Sequence, residues 1–278
     1  VEAGKDAAVT SLIIPAYNPG PAIERTWDSL REFLDGHCEP WEVVFALDGC
    51  TDGTRQRLGR LAWRDGESRF RVVSYAPNRG KGYALRSGFL AARGDYRIFT
   101  DVDLAYDFES VDRVAETLYA GAAVVVANRE HPESTVELSG RTFGYARRRR
   151  LQSRAFSLLT RTLLPITLLD TQAGLKGMTA AVADAVVPNM TCDGFGIDCE
   201  ILAACARYNI PITAVPIHVR YTDDASSTGL RSTLKMVREL GAIRTAWPRN
   251  GYPRPAVARP TTPVPRPATE TPPAARAA

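Results

Sequence analysis

The sequence predicts an α/β protein with a doubly wound, mostly parallel sheet. Short β-branched or aromatic runs alternate with helical patterns, and a loop rich in Gly, Pro, Asn or Asp follows each run. The first run covers residues 10–15. Pro21 then stands where a helical turn begins, and Trp27, Leu30, Phe33 and Leu34 recur at the spacing of one helix face. The second run, 42–47, leads to a helical pattern over 51–63, and the third, 70–75, leads to one over 81–92. Runs 96–100 and 122–127 complete five strands with four intervening helices. In the second half, 141–164, 179–187 and 197–208 read as helices, 212–221 as a strand broken by Pro216, and 230–246 as a last amphipathic helix.

With 45% hydrophobic and 24% charged residues, the 278-residue chain can build a sizeable core. We expect one catalytic domain over 1–246 and an extended tail over 247–278, where nine prolines interleave with Thr, Ala and Arg. The formal net charge of +4 comes from that tail, whose five arginines face only Glu270, so residues 1–246 are neutral in sum. A neutral body excludes nucleic-acid binding through a global field. Cys38, Cys50, Cys192, Cys199 and Cys205 lack the paired spacing of a zinc site or a disulfide framework and read as ordinary thiols. His37, His131 and His218 have no partner at ligand spacing, and Trp27, Trp41 and Trp63 read as core aromatics. Residues 1–8 hold no apolar h-region, and the longest apolar run, 122–127, falls far short of the ~20 residues of a membrane span. The expectation is a cytoplasmic protein, with any membrane contact peripheral and at the cytoplasmic face.

Ligands of open α/β sheets bind beyond the carboxyl ends of the strands, so the polar residues after each run carry the argument. Asp101-Val102-Asp103 follows the fourth run and puts two carboxylates within reach of one ion. Mg2+ or Mn2+ favours such hard oxygens and shares them with substrate phosphates; a solvated loop is the competing reading. Asn78-Arg79-Gly80-Lys81-Gly82 precedes a helix, where backbone amides and Lys81 can approach a phosphate, or where the glycines simply make a turn. Asp48, in Asp48-Gly49-Cys50-Thr51-Asp52-Gly53-Thr54, can accept hydrogen bonds from a base or ribose, or serve the turn itself. The first run opens into Pro15-Ala16-Tyr17-Asn18-Pro19-Gly20.

Together these loops resemble the inverting family-two glycosyltransferases of GT-A fold. Asp170-Thr171-Gln172-Ala173-Gly174-Leu175-Lys176, Phe195-Gly196-Ile197-Asp198-Cys199-Glu200, Ile210-Pro211-Ile212 and Ser226-Ser227-Thr228 look like segments of dolichyl-phosphate glucosyltransferases and polyprenyl-phosphate mannosyltransferases. The resemblance covers about residues 9–240. It implies an inverting, metal-dependent transfer of a hexose from a UDP- or GDP-sugar to a polyprenyl phosphate. The alternative is a soluble family-two enzyme acting on a hydroxyl of a small molecule or glycan. By the same resemblance, Pro15, Tyr17, Asn18 and Asp48 lie against the nucleotide and Lys81 near the sugar nucleotide. Asp101 and Asp103 hold the diphosphate and a Mg2+ or Mn2+ ion, Asp170, Gln172 and Lys176 line the donor-sugar or acceptor side, and Asp198 faces the transferred sugar. Two positions depart from the family pattern: Leu47 precedes Asp48 where a second acid is usual, and Pro19 follows Asn18 where Glu is usual. A hydroxyl acceptor would need a general base such as Asp198. A phosphate acceptor, with its second pKa of ~6, arrives ionised and needs orientation instead.

Residues 138–169 hold seven arginines, among them Arg147 to Arg150, and no acid, interleaved with Phe and Leu. Such a segment, about 141–161, can lie on an anionic lipid surface or form a solvated basic face. Ser227 lies in 222–229, which reads either as a lid over the donor or as a surface loop. A nicotinamide-dependent dehydrogenase is disfavoured, because no G-x-G-x-x-G follows the first run. A non-catalytic glycan-binding scaffold is disfavoured by the intact Asp101, Asp103 and Asp198.

Overall fold

The computed structural model describes residues 8–138, 156–166, 168, 170–221 and 230–246. Strands β1 (Thr10–Ala16) and β2 (Trp41–Asp48) are buried at every position. That burial explains why both read as unbroken apolar runs: helices cover both faces of a parallel sheet. Along β1 the faces separate residue by residue. Leu12 and Ile14 pack with Ile23, Trp27 and Leu30 of α1 (Ala22–Asp35) and Leu58 of α2 (Thr54–Asp65). Ile13 packs on the opposite side with Leu85 and Phe89 of α3 (Lys81–Ala91).

β3 (Phe70–Tyr75), β4 (Tyr96–Phe99) and β5 (Val124–Ala127) fall on the expected runs, and α4 (Phe108–Tyr119) supplies the fourth intervening helix. The seven-stranded sheet has the order β3-β2-β1-β4-β7-β5-β8. Parallel pairing runs from β3 to β4, and β7 (Lys176–Thr179) then enters antiparallel between β4 and β5. β8 (Ile212–Val215) pairs parallel with β5. Sequence reading missed β7, whose Lys-Gly-Met-Thr lacks β-branched alternation, and β6 (Thr135–Leu138), which pairs with β9 (His218–Tyr221) in a small second sheet. Helices α5 (Ala180–Val186), α6 (Ile197–Arg207) and α7 (Leu230–Ala246) lie where expected. Residues 156–163 are helical, while 141–155 of the predicted basic helix, Ser227 and the tail from 247 lie outside the described residues.

Trp63 corrects the expectation for the tryptophans: Trp27 and Trp41 are buried, but Trp63 is 87% exposed. Thr54, Leu58 and Leu61 define the inward face of α2, and two residues past Leu61 a helix has turned through about 200°. Among the described residues no helix is long and apolar enough to cross a membrane, and all five cysteines are free.

His37 fastens the end of α1 to α4 through the Phe33 carbonyl (2.7 Å) and the Asp112 carboxylate (2.9 Å). Burial works against its proton, but those two partners, with Glu39 nearby, hold the imidazole above its ordinary value of 6.5. The stabilisation is therefore complete below that value and is lost as pH rises through the higher folded-state pKa. His37→Ala should lower the melting temperature more at pH 6 than at pH 8.5; equal losses at both would dismiss the ion pair.

Candidate active site

The sheet's strand order reverses between β1 and β4, the place where an open α/β sheet leaves a crevice at its carboxyl edge. β1 delivers Pro15, buried, and Tyr17 and Asn18, exposed, to this edge. Asn18 has a positive φ of 47°, and its side-chain carbonyl accepts the Thr51 amide at 2.8 Å, joining the first two loops. β4 delivers Asp101 and Asp103. Asp101 is also met by Lys81 from the first turn of α3, with Nζ 2.7 Å from Oδ1.

The same ammonium lies 3.8 Å from Asp198 Oδ2 in the first turn of α6. Asp198 in turn receives Lys176 at 2.5 Å on Oδ1. Lys176 is fully buried, donates to the Ala173 carbonyl at 2.5 Å, and sits 5.6 Å above the Phe99 ring. Four of the expected residues thus form one chain of charges, Asp101–Lys81–Asp198–Lys176, with Asp103 beside it. Burial opposes the charge of Lys81, but Asp101, Asp198 and Asp103 outweigh it and hold the ammonium above the usual lysine range. Asp103, though an exposed residue, is pushed up by partial desolvation of its carboxylate and then by the like charge of Asp101.

Gly174 makes this packing possible. A Cβ there would overlap the Asp101 carboxylate, and its amide donates to Tyr106 Oη at 2.8 Å. The glycine in Asp-Thr-Gln-Ala-Gly is therefore a site of close approach.

Three carboxylates, Asp101, Asp103 and Asp198, face two ammonium groups in this cluster. Among the described residues no group of three or more His, Cys, Asp or Glu converges on a point. Such a donor set fits Mg2+ or Mn2+, which take one or two protein carboxylates and complete their shell with water and substrate phosphate. It does not fit a structural zinc site.

At two loops the structure shows the turn-building contacts that the sequence offered as an alternative. The Asp48 carboxylate accepts Tyr75 Oη (2.9 Å), Asn78 Nδ2 (2.8 Å) and the amides of Arg79 (2.7 Å) and Gly80 (2.8 Å). Those four donors take up its capacity, so here it organises the loop that leads into Lys81. The amides at the start of α3, expected to face a phosphate, are also engaged: Gly82 and Tyr83 donate to the Asp193 carbonyl at 2.9 and 3.3 Å. A side chain on Gly82 would collide with the backbone of Cys192 and Asp193, so the glycines bring α3 against this later loop.

Asp170 is buried and gripped by Arg129 through Nε (2.8 Å), Nη2 (2.7 Å) and the backbone amide (2.9 Å). Burial opposes its ionisation, but Arg129 more than offsets this and holds the carboxyl below the usual range. Gln172 lies apart from the Asp101 cluster in its contacts, with Nε2 3.9 Å from the Met236 sulfur of α7. Sequence reasoning missed Arg129, although the polar-residue-after-a-strand rule, applied to the fifth run, points to Asn128 and Arg129. It also missed Tyr106, Asp193 and Glu239, for which no local signal exists.

The chain is similar to several known proteins. The dolichyl-phosphate beta-glucosyltransferase of Saccharomyces cerevisiae is 28% identical over 252 residues, covering 85% of this chain and 74% of that protein. Glycosyltransferase AglD of Haloferax volcanii is 29% identical over 249 residues, 88% of this chain but 38% of its own length. Glucosyl-3-phosphoglycerate synthase from Mycobacterium tuberculosis, solved with Mn2+, UDP-glucose and phosphoglyceric acid, superposes with a TM-score of 0.56 at 22% identity over 86% of this chain and 79% of that one. The family model for glycosyl transferase family 2 matches residues 11–184. With the doubly wound sheet and its crevice described above, the chain therefore belongs to glycosyl transferase family 2 and is a glycosyltransferase of the GT-A fold.

Proposed function

We propose that this enzyme moves a hexose, glucose first among them, from a UDP-sugar to a dolichyl-type polyprenyl phosphate with inversion, assisted by Mg2+ or Mn2+ at Asp101 and Asp103. The observation that carries the reading is the charge chain Asp101–Lys81–Asp198–Lys176, buried at its Asp198–Lys176 end, beside Asp103 at the end of β4. Support for the acceptor comes from the dolichyl-phosphate glucosyltransferases that match most of the chain. Support for the donor comes from the UDP-glucose and Mn2+ bound by the mycobacterial synthase.

A divalent cation bound at these carboxylates would supply positive charge to the departing diphosphate. Lys81, already on Asp101, adds a second cationic group on the same side. Tyr17 and Asn18 stand at the mouth for the nucleotide, and Asp48 acts on it indirectly by fixing the 75–80 loop. Asp198, clamped by Lys176, presents its carboxylate to the sugar. Because a lipid phosphate arrives ionised at neutral pH, Asp198 works by position and need not remove a proton. The basic segment 141–161 draws in the anionic lipid; its described end carries the exposed Leu158 and Arg161.

The test is transfer of radiolabelled sugar by the full chain from UDP-glucose, UDP-galactose or GDP-mannose to detergent-dispersed dolichyl phosphate, with Mn2+ or EDTA. Label should enter the organic phase from UDP-glucose and only with the cation. Transfer to alcohols but not to lipid phosphate would move the assignment to the soluble, hydroxyl-directed alternative.

A further inference from the structure

The segment between Thr191 and Gly196 joins the two halves of the charge cluster. Glu200 of α6 accepts the amides of Thr191 and Cys192 at 2.9 and 2.8 Å. Arg86 of α3 donates to the Cys192 carbonyl at 2.8 Å and pairs with the Asp193 carboxylate. With the Asp193 carbonyl on α3, the segment locks the start of α3, which carries Lys81, to the start of α6, which carries Asp198.

One residue from outside completes the lock. Glu239 of α7 accepts the Gly196 amide on Oε2 at 2.8 Å, and Gly196 is the N-cap of α6, its carbonyl receiving the amides of Cys199 and Glu200 at 3.0 Å each. A side chain on Gly194 would overlap the Glu239 carboxylate, and a Cβ on Gly196 would lie 3.1 Å from Glu239 Cβ. One turn earlier on α7, Met236 meets Gln172. α7 itself is seated by Leu240 and Ile243, which are buried in the core. The face of α7 carrying 236 and 239 therefore touches both segments that flank the Lys176–Asp198 pair.

We propose that Glu239 is a positioning residue for sugar transfer: its hydrogen bond to Gly196 sets the first turn of α6 and thereby where Asp198 stands between Lys81 and Lys176. This rests on the reading that Asp198 faces the transferred sugar. Displacing a reacting-site group by an ångström costs about 100-fold in rate, so Glu239→Ala should lower kcat by about 10- to 100-fold while KM for UDP-glucose stays within about twofold of wild type. Glu239→Gln, which keeps a carbonyl oxygen for the Gly196 amide, should recover most of the turnover. Hydrogen exchange at residues 196–200, measured without substrate, should speed up in Glu239→Ala and not in Glu239→Gln.

Unchanged kcat in Glu239→Ala overturns the inference, as does a Glu239→Gln variant as impaired as Glu239→Ala. A loss of activity that merely follows the fraction of folded protein, read by circular dichroism on the same samples, overturns it as well. Wild-type protein that transfers nothing from UDP-glucose overturns the functional reading above and takes this inference with it.

Discussion

Lys176→Met should destabilise the folded protein by about 3–5 kcal/mol, the usual consequence of removing one partner of a buried ion pair. Lys176 is fully buried and Asp198 is 4% exposed, so solvent cannot take over the vacated role. The substitution removes the 2.5 Å contact to Asp198 and the bond to the Ala173 carbonyl, leaving the carboxylate with only Lys81 at 3.8 Å. Removing both charges should behave differently, because an apolar pair of similar volume often equals or exceeds a buried ion pair in stability. Lys176→Met combined with Asp198→Leu should therefore regain most of the lost stability while remaining inactive. Urea denaturation of the two variants separates the roles. A single variant within about 1 kcal/mol of wild type would mean that the pair does not hold the site together.

Asp103→Asn should reduce transfer by about 100- to 1,000-fold, the scale of removing one group aimed at the charge that develops in a transition state. It should do so without unfolding the protein. Asp103 is an exposed residue, but partial desolvation of its carboxylate and then the like charge of Asp101 penalise the ionised form, so neutralising it relieves repulsion. Asp101→Asn should weaken Mn2+ binding less, since Asp101 already shares Oδ1 with Lys81 while Asp103 accepts the Ala105 amide at 3.2 Å. Mn2+ titration followed by electron paramagnetic resonance, in the presence of UDP, reads this order directly. Equal Mn2+ affinity in wild type and Asp103→Asn would remove the cation from the proposal.

β1 and β2 were legible because they are covered on both faces and so read as apolar runs. The helices were legible because their inward residues recur at 3.6-residue spacing. Trp63 was misjudged because composition alone does not say which face of α2 a residue occupies. β7 was illegible for a sharper reason: one of its fully buried residues is a lysine, and the Ala173 carbonyl and Asp198, 22 positions away, make that burial tolerable. The candidate site shows the same division. Asp101, Asp103, Lys81, Lys176 and Asp198 could each be marked from motif and strand-end position. That Asp48 is used up by the 75–80 loop, and that the α3 amides are taken by Asp193, depends on partners 31 and more than 100 residues distant. Glu239 had no signal at all, because its meaning lies in the two glycines it covers.

The insertion of β7 between β4 and β5 also governs how the chain assembles on the ribosome. β5 emerges early but has no bond to β4; its neighbours in the sheet are β7 and β8. A chain synthesised only as far as residue 130 or so therefore carries β4 with one open ladder of amides and carbonyls, the kind of edge that recruits foreign strands. That ladder closes only when Lys176–Thr179 has been synthesised. The same four residues that bring Lys176 to Asp198 are thus the clasp that closes this edge of β4.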